Sequence, residues 1–148
     1  MKFDELNTPT QNNGMRYFSE NSIVIPDAYR NFLEQYNGGI PSNRLIYFNN
    51  DEKGTLIDII FGFTKEKYRD LRKTNIDMLN RIPTNTLAIA DDQGGNLILL
   101  SVKGPDYGKV YFWDHELETE PADYSNLTLI ADSFEEFINN LKSEDEIK

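Results

Sequence analysis

At 148 residues, with 39% hydrophobic and 12% aromatic side chains, the chain is long enough for one packed domain and too apolar to be disordered over most of its length. Its formal net charge of −10, from 25 acidic against 15 basic residues, argues against nucleic-acid binding, which needs a basic footprint. The same charge suits solubility and permits attraction to a basic protein partner, while the absence of cysteine excludes disulfides, zinc–thiolate sites and cysteine nucleophiles.

No apolar run reaches the length of a membrane span, and the first residues lack the apolar core of a secretory signal. A soluble cytoplasmic protein without membrane contact is therefore expected. Residues 1–22 read as a polar arm, loose or with a short helix, in which Phe3, Leu6, Tyr17 and Phe18 are scattered among Asn, Gln, Thr and Gly. Pro26 to Tyr36 forms the first clear helix. Pro26 suits its first position and Asp27 its positive end, and Tyr29, Phe32, Leu33 and Tyr36 recur at i, i+3, i+4 and i+7. Asn37-Gly38-Gly39 supplies the left-handed residues that stop it. Arg44–Phe48 reads as a strand, Asn49–Gly54 as a turn and Thr55–Phe63 as a second strand, with Gly62 marking a bulge or an early end. From Lys65 to about Arg81 the pattern is helical, with Thr64 as N-cap, Tyr68, Leu71, Asn75, Leu79 and Ile82 near one face, and Pro83 closing it.

Leu87 to Glu116, LAIADDQGGNLILLSVKGPDYGKVYFWDHE, reads as a three-stranded meander. Leu87–Ala90, Asn96–Val102 and Lys109–Asp114 are its strands. Asp91–Gly95 and Lys103–Gly108 are its turns. Symmetric turns would set Ala90 opposite Leu97 and Leu97 opposite Asp114. Ile89, Ile98 and Trp113 would then share one face, and Ala88, Leu99 and Phe112 the other. That register gathers Asp91, Asp92, Asn96, Asp114, His115 and Glu116 at one end of the sheet. Leu127–Ile130 follows as an edge strand. A last helix begins at an Asp132–Glu135 capping pair and carries Phe134, Phe137, Ile138 and Leu141 as its stripe. The expected architecture is α+β: residues 23–142 form one domain with a mainly antiparallel sheet packed by helices, and 143–148 form a charged tail.

Chemistry is harder to find. Gly94-Gly95 and Asn37-Gly38-Gly39 match neither nucleotide-binding fingerprint. A calcium loop starting at Asp91 fails on its ligands, with Gln93 third, Gly95 fifth and Val102 twelfth. His115 is the only histidine, so neither a catalytic triad nor a typical zinc site can be assembled around it. Asp91, Asp92, Asp114 and Glu116 could pair for acid–base work, yet turn chemistry accounts for Asp91 and Asp92 more simply. No catalytic residue, cofactor site or metal site is assigned. A surface that accepts basic groups, formed by Asp91, Asp92, Asp114, His115 and Glu116, is the candidate partner-binding region.

Two segments together resemble a known family. IPDAYRNFLEQYNGGIP, from Ile25 to Pro41, is similar to the opening signature of SMI1/KNR4 domains, the SUKH superfamily. The meander resembles that family's second signature, an Ile-Ala-x-Asp strand end, Gly-Gly-Asn, then a strand ending near Trp-Asp-His-Glu. The matching positions are Pro26, Tyr29, Phe32, Leu33, Asn37, Gly38, Gly39, Asp91, Gly94, Gly95, Asn96, Trp113 and Asp114, most of them helix starts and stops, turn residues and core. The resemblance implies a compact α+β fold. Many bacterial members are immunity proteins that bind and neutralise a polymorphic toxin, often a nuclease, made by the same cell. A fungal member regulates cell-wall synthesis and its signalling, so a toxin-unrelated regulatory or scaffold module is the alternative. The expected partner is a basic cognate toxin bound without direct nucleic-acid contact.

Overall fold

The computed structural model describes residues 1–10, 14–48 and 53–146. In chain order these give β1 (Phe3–Leu6), α1 (Arg16–Glu20), α2 (Asp27–Tyr36), β2 (Gly39–Pro41), β3 (Leu45–Tyr47), β4 (Gly54–Ile60), α3 (Leu71–Asp77), β5 (Thr86–Asp92), β6 (Leu97–Ser101), β7 (Val110–Trp113), β8 (Leu127–Ala131) and α4 (Phe134–Asn139). The strands form one eight-stranded open sheet in the order β1-β2-β4-β5-β6-β7-β8, with β3 paired to β4 off that path. Every one of these strand pairs is antiparallel. The fold is α+β with a mainly antiparallel sheet.

The meander forms its centre, and its register corrects the symmetric-turn expectation. Leu87 faces Leu100 and Ala88 faces Leu99, as that register requires. A bulge between Ala88 and Ala90 then shifts the rest by one residue, so Ala90 faces Ile98 and Asp91 faces Leu97. In the second hairpin Leu97 lies opposite Trp113 and Ile98 opposite Phe112. Trp113 therefore shares a face with Leu97 and Leu99, and Phe112 with Ile98 and Leu100, not the partners expected. All five residues of β6 are buried, so both faces of the sheet centre are covered.

Aromatic packing explains much of the cover. Tyr29 and Phe32 of α2 pack edge-on against Phe134 of α4, with ring centroids 4.9 and 5.1 Å away. Phe18 of α1 reaches Phe63 at 5.7 Å, and Phe48 lies 4.7 Å from Phe112. The α2 stripe is confirmed at Tyr29, Phe32 and Leu33, although Pro26 sits as N-cap with extended backbone rather than inside the helix. Asn37 caps the other end in the left-handed region at φ 59°.

Several boundaries differ from the sequence expectation. Of the two alternatives for the N-terminal residues, the short helix is present as α1, which places Phe18 in the core, and Phe3–Leu6 adds an edge strand paired with β2 that was not expected. The segment after Phe63 does not run as one helix from Lys65. It makes a 3-10 turn at Lys67–Arg69, and α3 starts at Leu71 with Asp70, not Thr64, as N-cap accepting the Lys73 N–H at 2.9 Å. Leu71, Asn75 and Ile82 are buried as expected, whereas Tyr68 and Leu79 lie exposed. For α4 the cap is Ser133, which accepts the Glu136 N–H at 3.1 Å, one residue after the Asp132 expected. The Asn49–Gly54 turn lies mostly outside the described residues.

Side-chain amides stitch the helices to the sheet. Asn37 receives the Phe63 N–H on Oδ1 at 2.8 Å and donates Nδ2 to the Phe63 carbonyl at 3.1 Å. Asn75 does the same to Ala88 at 2.8 and 2.9 Å, at the β5 bulge. Buried Asn7 donates to the Asn37 and Ile60 carbonyls. The chain passes so close here that a Cβ on Gly62 would overlap the Asn37 carbonyl, which is why glycine ends the strand region.

Candidate functional site

The acidic end of the meander divides into an inner and an outer set. Asp92 belongs to the inner set and is 7% exposed. Its Oδ1 accepts the Gly94 and Asn96 N–H groups, both at 2.9 Å, and its Oδ2 accepts Thr55 Oγ1 at 2.7 Å and Asn96 Nδ2 at 3.0 Å. Burial alone would raise this carboxyl's pKa, but the donors from Asn96, Thr55 and Gly94 outweigh it and hold the group below its ordinary value. The turn needs this anchor because Gly95 adopts φ 87°, leaving the local N–H groups to be satisfied by a side chain.

Asn96 passes the connection on. Its Oδ1 accepts the His115 N–H at 3.1 Å and lies 2.7 Å from the His115 Nδ1, so the ring presents a donor there. The imidazole covers Gly95. Asp92, Asn96 and His115 therefore tie the β5–β6 turn to the chain leaving β7. Asp91 points elsewhere and accepts the Ile59 N–H of β4 at 3.0 Å. Burial, with Asp58 and Asp92 nearby, raises its pKa to about 7 against the Ile59 hydrogen bond.

The outer set comprises Asp114, Glu116 and the residues after them. Asp114 Oδ1 accepts the Glu116 N–H at 3.0 Å and caps a 3-10 turn at His115–Leu117. Glu116 is exposed. Glu118 forms a two-bond pair with Arg81, at 2.9 and 3.1 Å, which holds its carboxyl below the ordinary value, and the guanidinium lies 6.0 Å from the buried Trp113 ring. Trp113 is 1% exposed and is a core residue. Of the five candidate contact residues, Glu116 is exposed, Asp91, Asp114 and His115 are half-buried, and Asp92 is enclosed.

The remaining motif positions are structural in the plainest sense. Tyr29, Phe32 and Leu33 fill the core, Asn37, Gly38 and Gly39 form the junction with β4, and Gly94, Gly95 and Asn96 build the turn. Among the described residues no group of three or more His, Cys, Asp or Glu side chains could hold a metal ion, and no helix is long and apolar enough to cross a membrane.

Sequence reasoning missed a second polar cluster, in the β6–β7 turn at the opposite end of the meander. Asp106 Oδ1 accepts Ser101 Oγ at 2.8 Å, and its Oδ2 accepts the Tyr111 and Tyr124 hydroxyls at 2.9 and 2.8 Å. Tyr124 lies 18 residues away in the chain, so no local spacing announces the contact.

The SMI1/KNR4 family (SUKH-1) matches residues 19–140 of the chain. An uncharacterised SPbeta prophage-derived protein of Bacillus subtilis (strain 168), YokK, is 29% identical over 137 residues, covering 81% of this chain and 68% of that protein. No solved structure matches the chain significantly.

Proposed function

The chain belongs to the SMI1/KNR4 family (SUKH-1), and from that membership we propose that it is a non-enzymatic immunity protein that neutralises a cognate toxin by binding it. The toxin in this reading is a basic protein, and a nuclease is the class whose charge fits best. Family membership carries the proposal, and the net charge of −10 supports it. A nucleic-acid-cleaving enzyme must itself attract phosphates, so an acidic inhibitor meets it with opposite sign.

The mechanism follows from the outer set at the sheet end. Glu116 and the half-exposed Asp114 and His115 sit on a turn whose backbone is fixed from beneath by Asn96 and Asp92. Carboxylates on a rigid mount accept arginine without a large ordering cost. Long-range attraction speeds encounter, and short-range packing sets the lifetime of the complex. Asp92 contributes by holding the turn, not by touching a partner.

The test is co-expression with the toxin encoded beside the gene. Wild-type protein should restore growth and co-purify with the toxin, and Glu116→Lys should slow association about tenfold at low salt with a smaller effect at high salt. Continued killing with no detectable complex would sink the reading. A gene neighbourhood with no toxin, together with capture of a regulatory protein, would favour the scaffold function instead.

A further inference from the structure

Tyr107 follows Asp106 in the β6–β7 turn, and Tyr124 reaches the same carboxylate from the loop that passes Asp114 on its way into β8; both rings are open to solvent, at 43 and 41% exposure. Their hydroxyls are tied down. Tyr124 donates to Asp106 at 2.8 Å, and Tyr107 donates to the Val24 carbonyl at 2.9 Å, beside a Val24 side chain that is 69% exposed. Tyr111 supports Tyr124 edge-on at 5.4 Å and donates to the same carboxylate. Two large rings thus stand at the surface in one orientation, with their rotamer entropy already spent before any partner arrives.

The electrostatics select what such a surface would hold. Asp106 joins no ion pair among the described residues, and three hydroxyls, from Ser101, Tyr111 and Tyr124, are its side-chain donors. A phenol that donates to a carboxylate carries more electron density on its ring face, which strengthens attraction for a cation above it. Asp27 acts on Tyr107 from α2 with the same sign, opposed by Arg30. Lys109 is engaged with Asp132 at 4.0 Å. Burial and the Asp106 hydrogen bond push the Tyr124 pKa up to about 12, so its ring remains a neutral phenol at physiological pH. A planar guanidinium stacks on such rings better than a compact ammonium does.

We propose that the Tyr107–Asp106–Tyr124 surface is a second docking site, one that takes an arginine-bearing segment of a basic protein partner. The proposal rests on reading the chain as a binder of basic proteins, and it does not require that partner to be a toxin. Neutral apolar segments would gain from the rings but not from the carboxylate beneath them.

An unlabelled hexapeptide of alternating arginine and glycine is the probe, titrated into 15N-labelled full-length protein, with the lysine–glycine peptide as its control. Amide shifts should centre on residues 104–108, and the arginine peptide should bind several-fold tighter than the lysine peptide. Tyr107→Ala/Tyr124→Ala should weaken the arginine peptide about tenfold, the loss of two exposed cation–π contacts. Asp77→Asn should leave it within about twofold, because an exposed charge on α3 that already pairs with Lys73 is screened. Shifts confined to residues 91–96 and 114–116, equal affinity for the two peptides, or an unchanged double variant would each overturn the proposal. The wild-type shift map needs no variant to fold. Toxin capture without peptide binding at these tyrosines would remove this surface and leave the immunity reading standing. Peptide binding here without toxin capture would do the reverse.

Discussion

The two turns of the central meander each hold an aspartate, and the two are used in opposite directions. In the β5–β6 turn, Asp92 is enclosed and turns both oxygens toward the backbone and side chains of its own loop and of β4. In the β6–β7 turn, Asp106 is half-buried and gathers the hydroxyls of buried Ser101, half-buried Tyr111 and the solvent-facing Tyr124. The first makes a turn rigid from within. The second makes a surface rigid from beneath. Counting carboxylates along a sequence cannot separate these uses, because what differs is which donors converge on them.

Removing the two aspartates should break the comparison most visibly. Asp92→Ala strands two backbone N–H groups and the side chains of Thr55 and Asn96, and should cost about 3 kcal/mol in urea unfolding. Neighbouring Asp91 comes next. Its folded-state pKa, about 7, lies above the ordinary 3.8, so the folded chain keeps a proton that the unfolded chain loses between those values. Its stabilising share is complete below the lower value and is lost as pH rises through 7. Asp91→Asn retains an acceptor for the Ile59 N–H, so stability should match wild type near pH 4 and exceed it by about 2 kcal/mol at pH 8, after allowance for partial exposure. Equal curves for the two proteins across that range would show that Asp91 stays ionised.

Asp106→Ala should cost less, about 1 kcal/mol, because the tyrosine hydroxyls can turn to water and buried Ser101 keeps the Lys103 carbonyl as acceptor. It should also loosen Tyr124, seen as narrower ring resonances and faster ring averaging in NMR spectra. Glu116→Gln stands last, within about 0.5 kcal/mol of wild type on unfolding, since an exposed charge contributes little to stability. An Asp106→Ala loss as large as that of Asp92→Ala would erase the distinction between the turns.

The helix stop at Asn37, the α2 stripe, the edge position of Leu127–Ile130 and the antiparallel meander were legible because each rests on local rules of period and turn chemistry. What was hidden depends on contacts distant in sequence. Phe3–Leu6 becomes a strand only because β2 offers it an edge, and its own residues carry charge in the middle. The helix expected from Lys65 is delayed to Leu71 because Asp70 also binds the Thr64 N–H and the stretch pairs with Gly62. In the first hairpin the register slipped because a bulge at Ile89 is held open by Asn75, 13 residues from the Ala88 it grips, and in the second because the turn closes between Ser101 and Gly108–Lys109 and is not symmetric. At the site, the acidic end was visible as a cluster but not as an inner and an outer layer. Tyr124 joins Asp106 across 18 residues and left no signature.

The Asn37 amide has a chemical future as well as a structural role. Its carboxamide imitates a peptide group, offering one donor and one acceptor to Phe63, and the next residue is Gly38. Asparagine followed by glycine is the dipeptide in which the side chain is most readily lost to hydrolysis through a cyclic imide. Conversion to aspartate would aim a negative oxygen at the Phe63 carbonyl that now receives an N–H, at the point where α2, β4 and the N-terminal segment are joined. The junction that holds the fold together is thus also where the molecule would age, and the close packing there leaves no room for a Cβ on either Gly62 or Gly38.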